Sequence, residues 1–172
     1  MTSRFQDSLF YSRPLNAGDT IGVLALSSPC EEHRFQAGVR YLESLGFRVK
    51  VALDPCRAYG TTRHLFSSDS AHRRAEALHS LFEDPEVSAV LAARGACGSM
   101  EVLPLIDFEL LRRNCKLICG FSDTTAVLVA AYQKAGVAVL HGPSIESAFS
   151  KAAQGDPAGI ESSRALLDFV TA

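Results

Sequence analysis

Short apolar runs recur along the chain, and each is followed by a turn of small or polar residues. Continuous apolar runs of this kind predict strands covered on both faces. A run that alternates apolar and basic residues instead predicts a strand nearer the edge of a sheet. The continuous runs are Thr20–Leu26, Val87–Ala93, Lys116–Cys119 and Val137–Leu140, and the alternating run is Phe47–Leu53.

Segments with helical periodicity separate these strands. The predicted helices are Glu31–Leu45, a helix from a cap at Ser68 or Asp69 to Phe82, Thr124 to about Ala135, and Gly159–Val170, with broken turns between Leu103 and Leu111. In the second helix, Arg73, Arg74 and Glu76 are expected to face solvent. Because strands and helices alternate, the sequence predicts an α/β fold with a mostly parallel sheet and helices on both faces.

The length and composition are those of one globular domain. The chain has 172 residues, of which 47% are hydrophobic and 21% charged, which is enough for a substantial core. Residues 1–14 are predicted to be a loosely held N-terminal arm and residues 15–150 the α/β domain. Residues 151–172 are predicted to form a linker followed by a terminal helix. The linker-like composition itself extends over residues 150–157.

Charge and hydropathy exclude several classes of partner. The net charge of −2 is spread without a basic stripe, so no nucleic-acid partner is expected. No apolar run approaches the roughly 18 residues that span a bilayer, and the N-terminus has no apolar signal region. We therefore expect no membrane partner and a cytoplasmic location. The five cysteines are scattered and predict buried free thiols rather than a metal site, and no dinucleotide fingerprint calls for a cofactor.

The turns that follow the predicted strands carry the polar and glycine-rich residues of the chain. In a parallel sheet these turns share the carboxyl edge, where open α/β sheets bind their ligands. Four clusters are expected there: Ser27-Ser28, Arg94–Ser99, Ser122-Asp123 and His141-Gly142.

The stretch Cys115–Ala131 runs from a strand through Ser122 into an apolar helix. This is the pattern of a nucleophile elbow, in which a sharp turn exposes a serine hydroxyl beside the first amides of a helix. The local match departs from G-x-S-x-G because Thr124 stands where glycine is expected. The alternative interpretation is that Ser122 or Asp123 caps the helix.

The Arg94–Ser99 loop and His141 are the other candidate site elements. Gly95 and Gly98 let the backbone of the loop approach a ligand, so its amides and that of Asp123 could form an oxyanion hole. A phosphate nest or a simple tight turn is equally consistent with the loop. His141 is either a substrate contact or an imidazole bonded to a nearby backbone group, and no acidic residue is clearly paired with it.

Four motifs in register resemble those of the LD-carboxypeptidases of the S66 serine peptidase family, which includes the microcin C immunity peptidases. They are R-G-A-C-G-S at Arg94–Ser99, L-P-L-I-D at Leu103–Asp107, G-F-S-D at Gly120–Asp123 and H-G-P at His141–Pro143. The similarity runs from about Leu15 to Ser147.

The resemblance implies a three-layer, flavodoxin-like domain similar to class I glutamine amidotransferases. It implies that Ser122 is the nucleophile and that the amides of Asp123 and of Gly95 or Ala96 bind the oxyanion, with Arg94 and His141 as further substrate-binding residues. Members of the family are cytoplasmic, metal-free and commonly dimeric. They cleave the amide bond to the terminal D-alanine of murein tetrapeptide, so a murein peptide substrate and a homodimer are expected.

The sequence departs from the family pattern in two respects. The family loop usually reads R-G-G-Y-G, whereas Ala96 and Cys97 replace its second glycine and its tyrosine, so a different loop or pocket shape is expected. The family's catalytic glutamate and histidine come from a C-terminal domain. The chain alone is therefore expected to be inactive. It is also expected to self-associate, because apolar surface that a C-terminal domain would cover is exposed at the carboxyl edge. The alternatives are hydrolysis of aminoacyl-nucleotide amides, as in microcin immunity, and a ligand-binding domain without catalysis.

Overall fold

The central element is a single five-stranded parallel sheet with the order β2-β1-β3-β4-β5. The structure is a computed structural model that describes residues 9–57 and 67–171. Its strands are β1 Thr20–Leu24, β2 Arg48–Val51, β3 Val87–Ala92, β4 Leu117–Gly120 and β5 Val139–His141. This order is that of flavodoxin-like doubly wound sheets, so the predicted fold class is confirmed. The alternating strand, β2, lies at an edge as predicted.

Helices cover both faces of the sheet. The helices are α1 Glu32–Ser44, α2 Ala71–Glu83, α3 Phe108–Arg113, α4 Thr125–Ala130, α5 Ser150–Ala153 and α6 Pro157–Val170. One apolar cluster joins the sheet to α2, α3 and α4. A second joins the opposite face to α1, α6 and the turn before α5, and α5 packs between α1 and α6. The molecule therefore has the predicted three layers.

Side-chain caps set the N-terminal limits of two helices. Ser70, rather than Ser68 or Asp69, caps α2 by accepting a hydrogen bond from the amide of Arg73. Asp156 caps α6 by accepting from the amide of Gly159, and Pro157 occupies the first turn, where its missing N–H costs nothing. Consequently α6 begins two residues earlier than predicted.

Two predicted segments differ from the structure. The helix after Ser122 begins as a 3₁₀ turn at Ser122–Thr124, continues as α4, and widens to a π turn at Ala131–Ala135. The linker-like stretch at 150–157 is partly helical, since a π turn at Ile145–Phe149 leads directly into α5. The sequence failed here because small and polar residues hid a helical turn that buries Ala148, Phe149 and Ala152.

The described part of the N-terminal arm is held against the domain. The backbone of Phe10 exchanges hydrogen bonds with Gly136 and Ala138, and Arg13 forms an ion pair with Asp19 at 2.7 Å. The pairing with Arg13 holds the pKa of Asp19 below its usual range. The remaining predicted residues of the arm, 1–8, lie outside the described residues.

The second helix corrects one prediction. Arg74, expected to face solvent with Arg73 and Glu76, is completely buried.

Within residues 9–57 and 67–171, no helix is both long and apolar enough to cross a bilayer.

Candidate active site

The loops that follow the parallel strands meet at the carboxyl edge of the sheet, where hydrogen bonds join them. The amide of Ser28, after β1, donates to the carbonyl of Gly95, after β3, at 3.3 Å. The amide of Gly142, after β5, donates to the carbonyl of Gly120 at the end of β4 at 3.0 Å. The structure thus brings together all four predicted clusters.

Ser122 occupies the sharp turn between β4 and α4. Its φ is +60°, in the left-handed region where a Cβ costs about 1–2 kcal/mol, and it is exposed. Neither Ser122 nor Asp123 provides a side-chain cap for the helix. A strained, exposed serine between a strand and a helix is the geometry of a nucleophile elbow.

The start of the Arg94–Ser99 loop lies directly against Ser122. A Cβ built on Gly95 would come 2.9 Å from Ser122 Cβ and 3.2 Å from its Oγ, so only glycine allows this approach. Among the described residues, neither the amide of Gly95 nor that of Ala96 donates a hydrogen bond to a backbone carbonyl. Amides beside an exposed hydroxyl are the donors that a developing oxyanion needs.

The carboxylate of Asp123 fastens the elbow to two other loops. Its Oδ2 accepts hydrogen bonds from Ser27 Oγ at 2.7 Å and from the Ser99 amide at 2.8 Å. Ser99 Oγ in turn donates to the carbonyl of Asp123 at 2.6 Å. Ser27 and Ser99 are completely buried. These contacts fix the orientation of the peptide that follows Ser122.

Arg94 is pinned at the rim by a carboxylate that the sequence did not single out. Arg94 Nε lies 3.2 Å from Glu146 Oε2, and its Nη1 donates to the carbonyl of Pro29 at 3.0 Å. Glu146 also accepts from the amide of Glu31 at 2.9 Å. The side chain of Arg94 is still 40% exposed, which leaves a cation accessible at the edge of the site.

His141 is exposed at the end of β5, where its ring meets Phe121 edge-on at 6.4 Å between centroids. In the part of the chain that the structure describes, no histidine or carboxylate lies within hydrogen-bond distance of Ser122 Oγ, and no carboxylate pairs with His141. Of the other histidines, His33 and His72 are exposed, His79 Nε2 accepts from the amide of Asp107 at 2.9 Å, and His64 lies outside the described residues.

Cys30 and Cys119 are buried, Cys56 and Cys115 are half-buried, and Cys97 is exposed. Burial raises the pKa of Cys119 to about 12, and burial with nearby acidic groups raises that of Cys56 to about 11. Cys97 is exposed within the Arg94–Ser99 loop, so the prediction of buried thiols is wrong for this residue. Among residues 9–57 and 67–171, no cluster of His, Cys, Asp and Glu side chains could hold a metal ion.

The site residues that the sequence did not single out are Ser99 and Glu146. Ser99 was included only as the last residue of a glycine-rich loop, and its partner Asp123 is 24 positions away. Glu146 is 115 positions from Glu31. Contacts at such separations have no local sequence signal, since they are created by the order of the strands.

Ala96, in the Arg94–Ser99 loop, has a φ of +87°, which is in the left-handed region. Glycine would remove the Cβ strain of about 1–2 kcal/mol and add back about 0.5–1 kcal/mol of unfolded-chain entropy. We therefore expect Ala96→Gly to raise the free energy of unfolding by about 0.5–1 kcal/mol, measured by urea denaturation. Ala17→Gly, at an exposed residue without positive φ, is the control and should destabilise; equal destabilisation by both would contradict the strain at Ala96.

Comparison with known proteins identifies the family. A model of the LD-carboxypeptidase N-terminal domain, of the Peptidase S66 family, matches residues 21–142. The chain is 36% identical over 135 residues to a Bacillus subtilis protein named "Probable murein peptide carboxypeptidase", covering 78% of this chain and 41% of the relative. It is 31% identical over 141 residues to the microcin C7 self-immunity protein MccF of Escherichia coli, covering 80% of this chain and 40% of the relative.

Solved structures show the same relationship. A structure of MccF in complex with glutamyl sulfamoyl guanosine matches with a TM-score of 0.85 at 26% identity, over 94% of this chain and 47% of that one. Muramoyltetrapeptide carboxypeptidase from Oxalobacter formigenes matches with a TM-score of 0.65 at 27% identity, over 76% of this chain and 42% of that one. The chain spans about two fifths of the length of the curated relatives it matches. It belongs to the LD-carboxypeptidase family, Peptidase S66, and corresponds to the N-terminal domain of that family.

Proposed function

We propose that this chain supplies the nucleophile of a serine-type LD-carboxypeptidase that releases the terminal D-alanine of murein tetrapeptide. One observation carries the proposal: Ser122 is exposed at φ +60° with the backbone of Gly95 packed against its side chain. The names of the relatives supply the substrate class, since one of them is a murein peptide carboxypeptidase by name.

In the proposed reaction, Ser122 Oγ attacks the carbonyl carbon of the L,D-amide bond. The amides of Asp123 and of Gly95 or Ala96 donate hydrogen bonds to the oxyanion as it forms, which is where such donors lower the barrier most. The C–N bond then breaks, D-alanine leaves with a proton, and water hydrolyses the acyl-enzyme. Arg94 and His141, both at the rim, are proposed to contact the substrate.

The base that accepts the Ser122 proton is proposed to come from outside this domain. No histidine or carboxylate among the described residues is within hydrogen-bond distance of Ser122 Oγ. The family resemblance implies a glutamate and a histidine from a C-terminal domain. Without them, we propose that the chain has little hydrolytic activity, because triad members act as a unit.

A second candidate substrate is an aminoacyl-nucleotide amide. The observation that favours it is structural: the match to MccF has a TM-score of 0.85, against 0.65 for the muramoyltetrapeptide carboxypeptidase. The same nucleophile and oxyanion donors would serve, because both substrates contain an amide-like acyl bond whose carbonyl becomes tetrahedral.

A fusion of this chain to the C-terminal portion of the Bacillus subtilis relative tests both candidates. Its folding is first verified by circular dichroism, and the intact relative serves as the positive control. D-alanine release from murein tetrapeptide is expected, with slower or no hydrolysis of glutamyl sulfamoyl guanosine. The reverse order of rates would replace the murein function with the nucleotide one. Hydrolysis of neither by a folded fusion would favour the non-catalytic binding domain. The homodimer and the cytoplasmic location stay predictions.

A further inference from the structure

The most buried charge in the described molecule lies behind the candidate site rather than in it. The side chain of Arg74, on α2, is 0% exposed and its ion-pair partner Glu101 is 48% exposed. A cation removed completely from water is costly unless its N–H groups are all used. We infer that Arg74 is a positioning residue that sets the geometry of the oxyanion donors. The effect of Arg74 on catalysis rests on the proposed function of Ser122, whereas the hydrogen bonds of Arg74 do not depend on that function.

Arg74 donates hydrogen bonds to three separate loops at the carboxyl edge. Its Nη1 bonds the carbonyl of Leu26, after β1, at 2.5 Å and that of Gly98, after β3, at 2.9 Å. Its Nε bonds the carbonyl of Asp69, before α2, at 2.9 Å, and its Nη2 bonds Glu101 Oε2 at 2.7 Å. The planar fork of a guanidinium can reach four acceptors at fixed angles, which an ammonium cannot.

Two of these carbonyls belong to the residues immediately before the donors that hold Asp123. Leu26 precedes Ser27, whose hydroxyl donates to Asp123 Oδ2, and Gly98 precedes Ser99, whose amide donates to the same oxygen. Arg74 therefore fixes the Gly98–Ser99 peptide, whose N–H holds the Asp123 carboxylate, and the backbone next to Ser27, whose hydroxyl holds the same carboxylate. The Asp123 amide, one of the two proposed oxyanion donors, lies at the end of this chain of contacts.

The backbone at Gly98 is fitted to the guanidinium. Gly98 has φ +108°, and a Cβ there would lie 2.8 Å from Ser67 Oγ and 3.3 Å from Arg74 Nη1. A side chain at residue 98 is thus disfavoured by the positive φ and by the close contact with Ser67, and it would also press against Arg74. The positively charged fork and the glycine together determine where the Arg94–Ser99 loop reverses.

The exposed thiol of Cys97 provides a local readout that does not depend on hydrolysis. Its amide donates to Ser28 Oγ at 3.3 Å, and its sulfur lies 3.7 Å from the same oxygen. We expect Arg74→Met to change the rate of Cys97 alkylation by iodoacetamide severalfold, measured site by site by mass spectrometry on the folded chain. Arg74→Lys should restore the rate only in part.

The control is Leu81→Ala, on the same helix. Leu81 is completely buried and packs against Gly22 in the middle of β1, so the variant destabilises the core without touching the loops. It should leave the Cys97 rate within about twofold of the wild-type rate, because loss of a core contact makes a cavity at its own site. If Arg74→Met and Leu81→Ala change the rate equally, Arg74 is only a stabilising residue and the inference is overturned.

If Arg74→Met folds poorly, a chemical rescue experiment on Arg74→Ala takes its place. Arg74→Ala is measured with millimolar guanidinium chloride or the same concentration of sodium chloride, and only guanidinium should return the Cys97 rate toward that of the wild type. In the fusion enzyme, Arg74→Lys should lower kcat with little change in KM, since oxyanion contacts act in the transition state. If the wild-type fusion does not hydrolyse substrate but Arg74→Met still changes the alkylation rate of Cys97, the proposed function is wrong and the positioning role of Arg74 in the loop is kept. If the Arg74 variants change neither the alkylation rate of Cys97 nor the kcat of an active fusion, the inference about Arg74 is overturned and the proposed function is unaffected.

Discussion

Replacing Ser122 with alanine is expected to abolish hydrolysis by the fusion enzyme, lowering kcat/KM by about four to six orders of magnitude. The hydroxyl is the only group of residue 122 that can form the acyl-enzyme bond, and the alanine variant keeps the Cβ that packs against Gly95. The same change should eliminate covalent labelling by a fluorophosphonate probe. Both quantities are measured on protein shown to be folded by circular dichroism.

Two further variants separate chemistry from structure at this position. Ser162→Ala changes an exposed serine on α6 and should leave hydrolysis and labelling unaltered. Ser122→Gly should be as inactive as Ser122→Ala yet more stable, because glycine accepts φ +60° without the Cβ penalty. Equal labelling of the wild type and Ser122→Ala would show that another residue is the nucleophile.

The position of the site was predictable because it depends on strand order rather than on side-chain contacts. Once alternating strands and helices imply a parallel sheet, every turn after a strand must lie at one edge. That argument predicts that Arg94–Ser99 and Ser122 lie together, and the hydrogen bond from the Ser99 amide to the Asp123 carboxylate confirms it. Contacts among these residues depend on rotamers and loop lengths, which have no short-range pattern.

Thr124, the mismatch in the elbow motif, has a structural explanation. Its side chain is completely buried, and a Cβ on Gly120 would lie 3.1 Å from Thr124 Cγ2 and 2.9 Å from Ala92 Cβ. Because Gly120 has no Cβ, the side chain of Thr124 fits at the position where the motif has glycine. Thr124 Oγ1 also donates to the carbonyl of Arg94 at 3.4 Å, which ties the helix to the neighbouring loop.

Arg74 shows where the sequence held a signal that its charge obscured. It lies three residues after Ala71 and four before Leu78, and apolar residues at this spacing mark one face of a helix, so helical spacing alone places Arg74 on the apolar face. Arginine is rarely buried without partners, and the expectation of an exposed side chain followed from that rule. The partners are backbone carbonyls of distant loops, which a sequence does not display.

The loss of the Asp123 carboxylate is expected to have the largest effect on stability. Asp123→Ala removes the acceptor of the Ser27 hydroxyl and the Ser99 amide, both belonging to residues that are completely buried. Each unsatisfied buried donor costs about 1–3 kcal/mol, so the loss of two should lower the free energy of unfolding by about 2–6 kcal/mol, measured by urea denaturation of the chain.

Asp123→Asn is the matched control, because both donors bond one oxygen, Oδ2. The amide oxygen of asparagine can occupy that place and accept both bonds, so only the charge-assisted part, about 1 kcal/mol, should be lost. The two variants also separate anchoring from catalysis: the oxyanion donor is the backbone amide of residue 123, which both retain. Asp123→Asn should therefore keep most of the hydrolytic activity of the fusion, whereas Asp123→Ala should lose activity because its loops no longer hold that amide. Equal destabilisation by the two substitutions would mean that the negative charge, rather than the two hydrogen bonds, anchors the elbow.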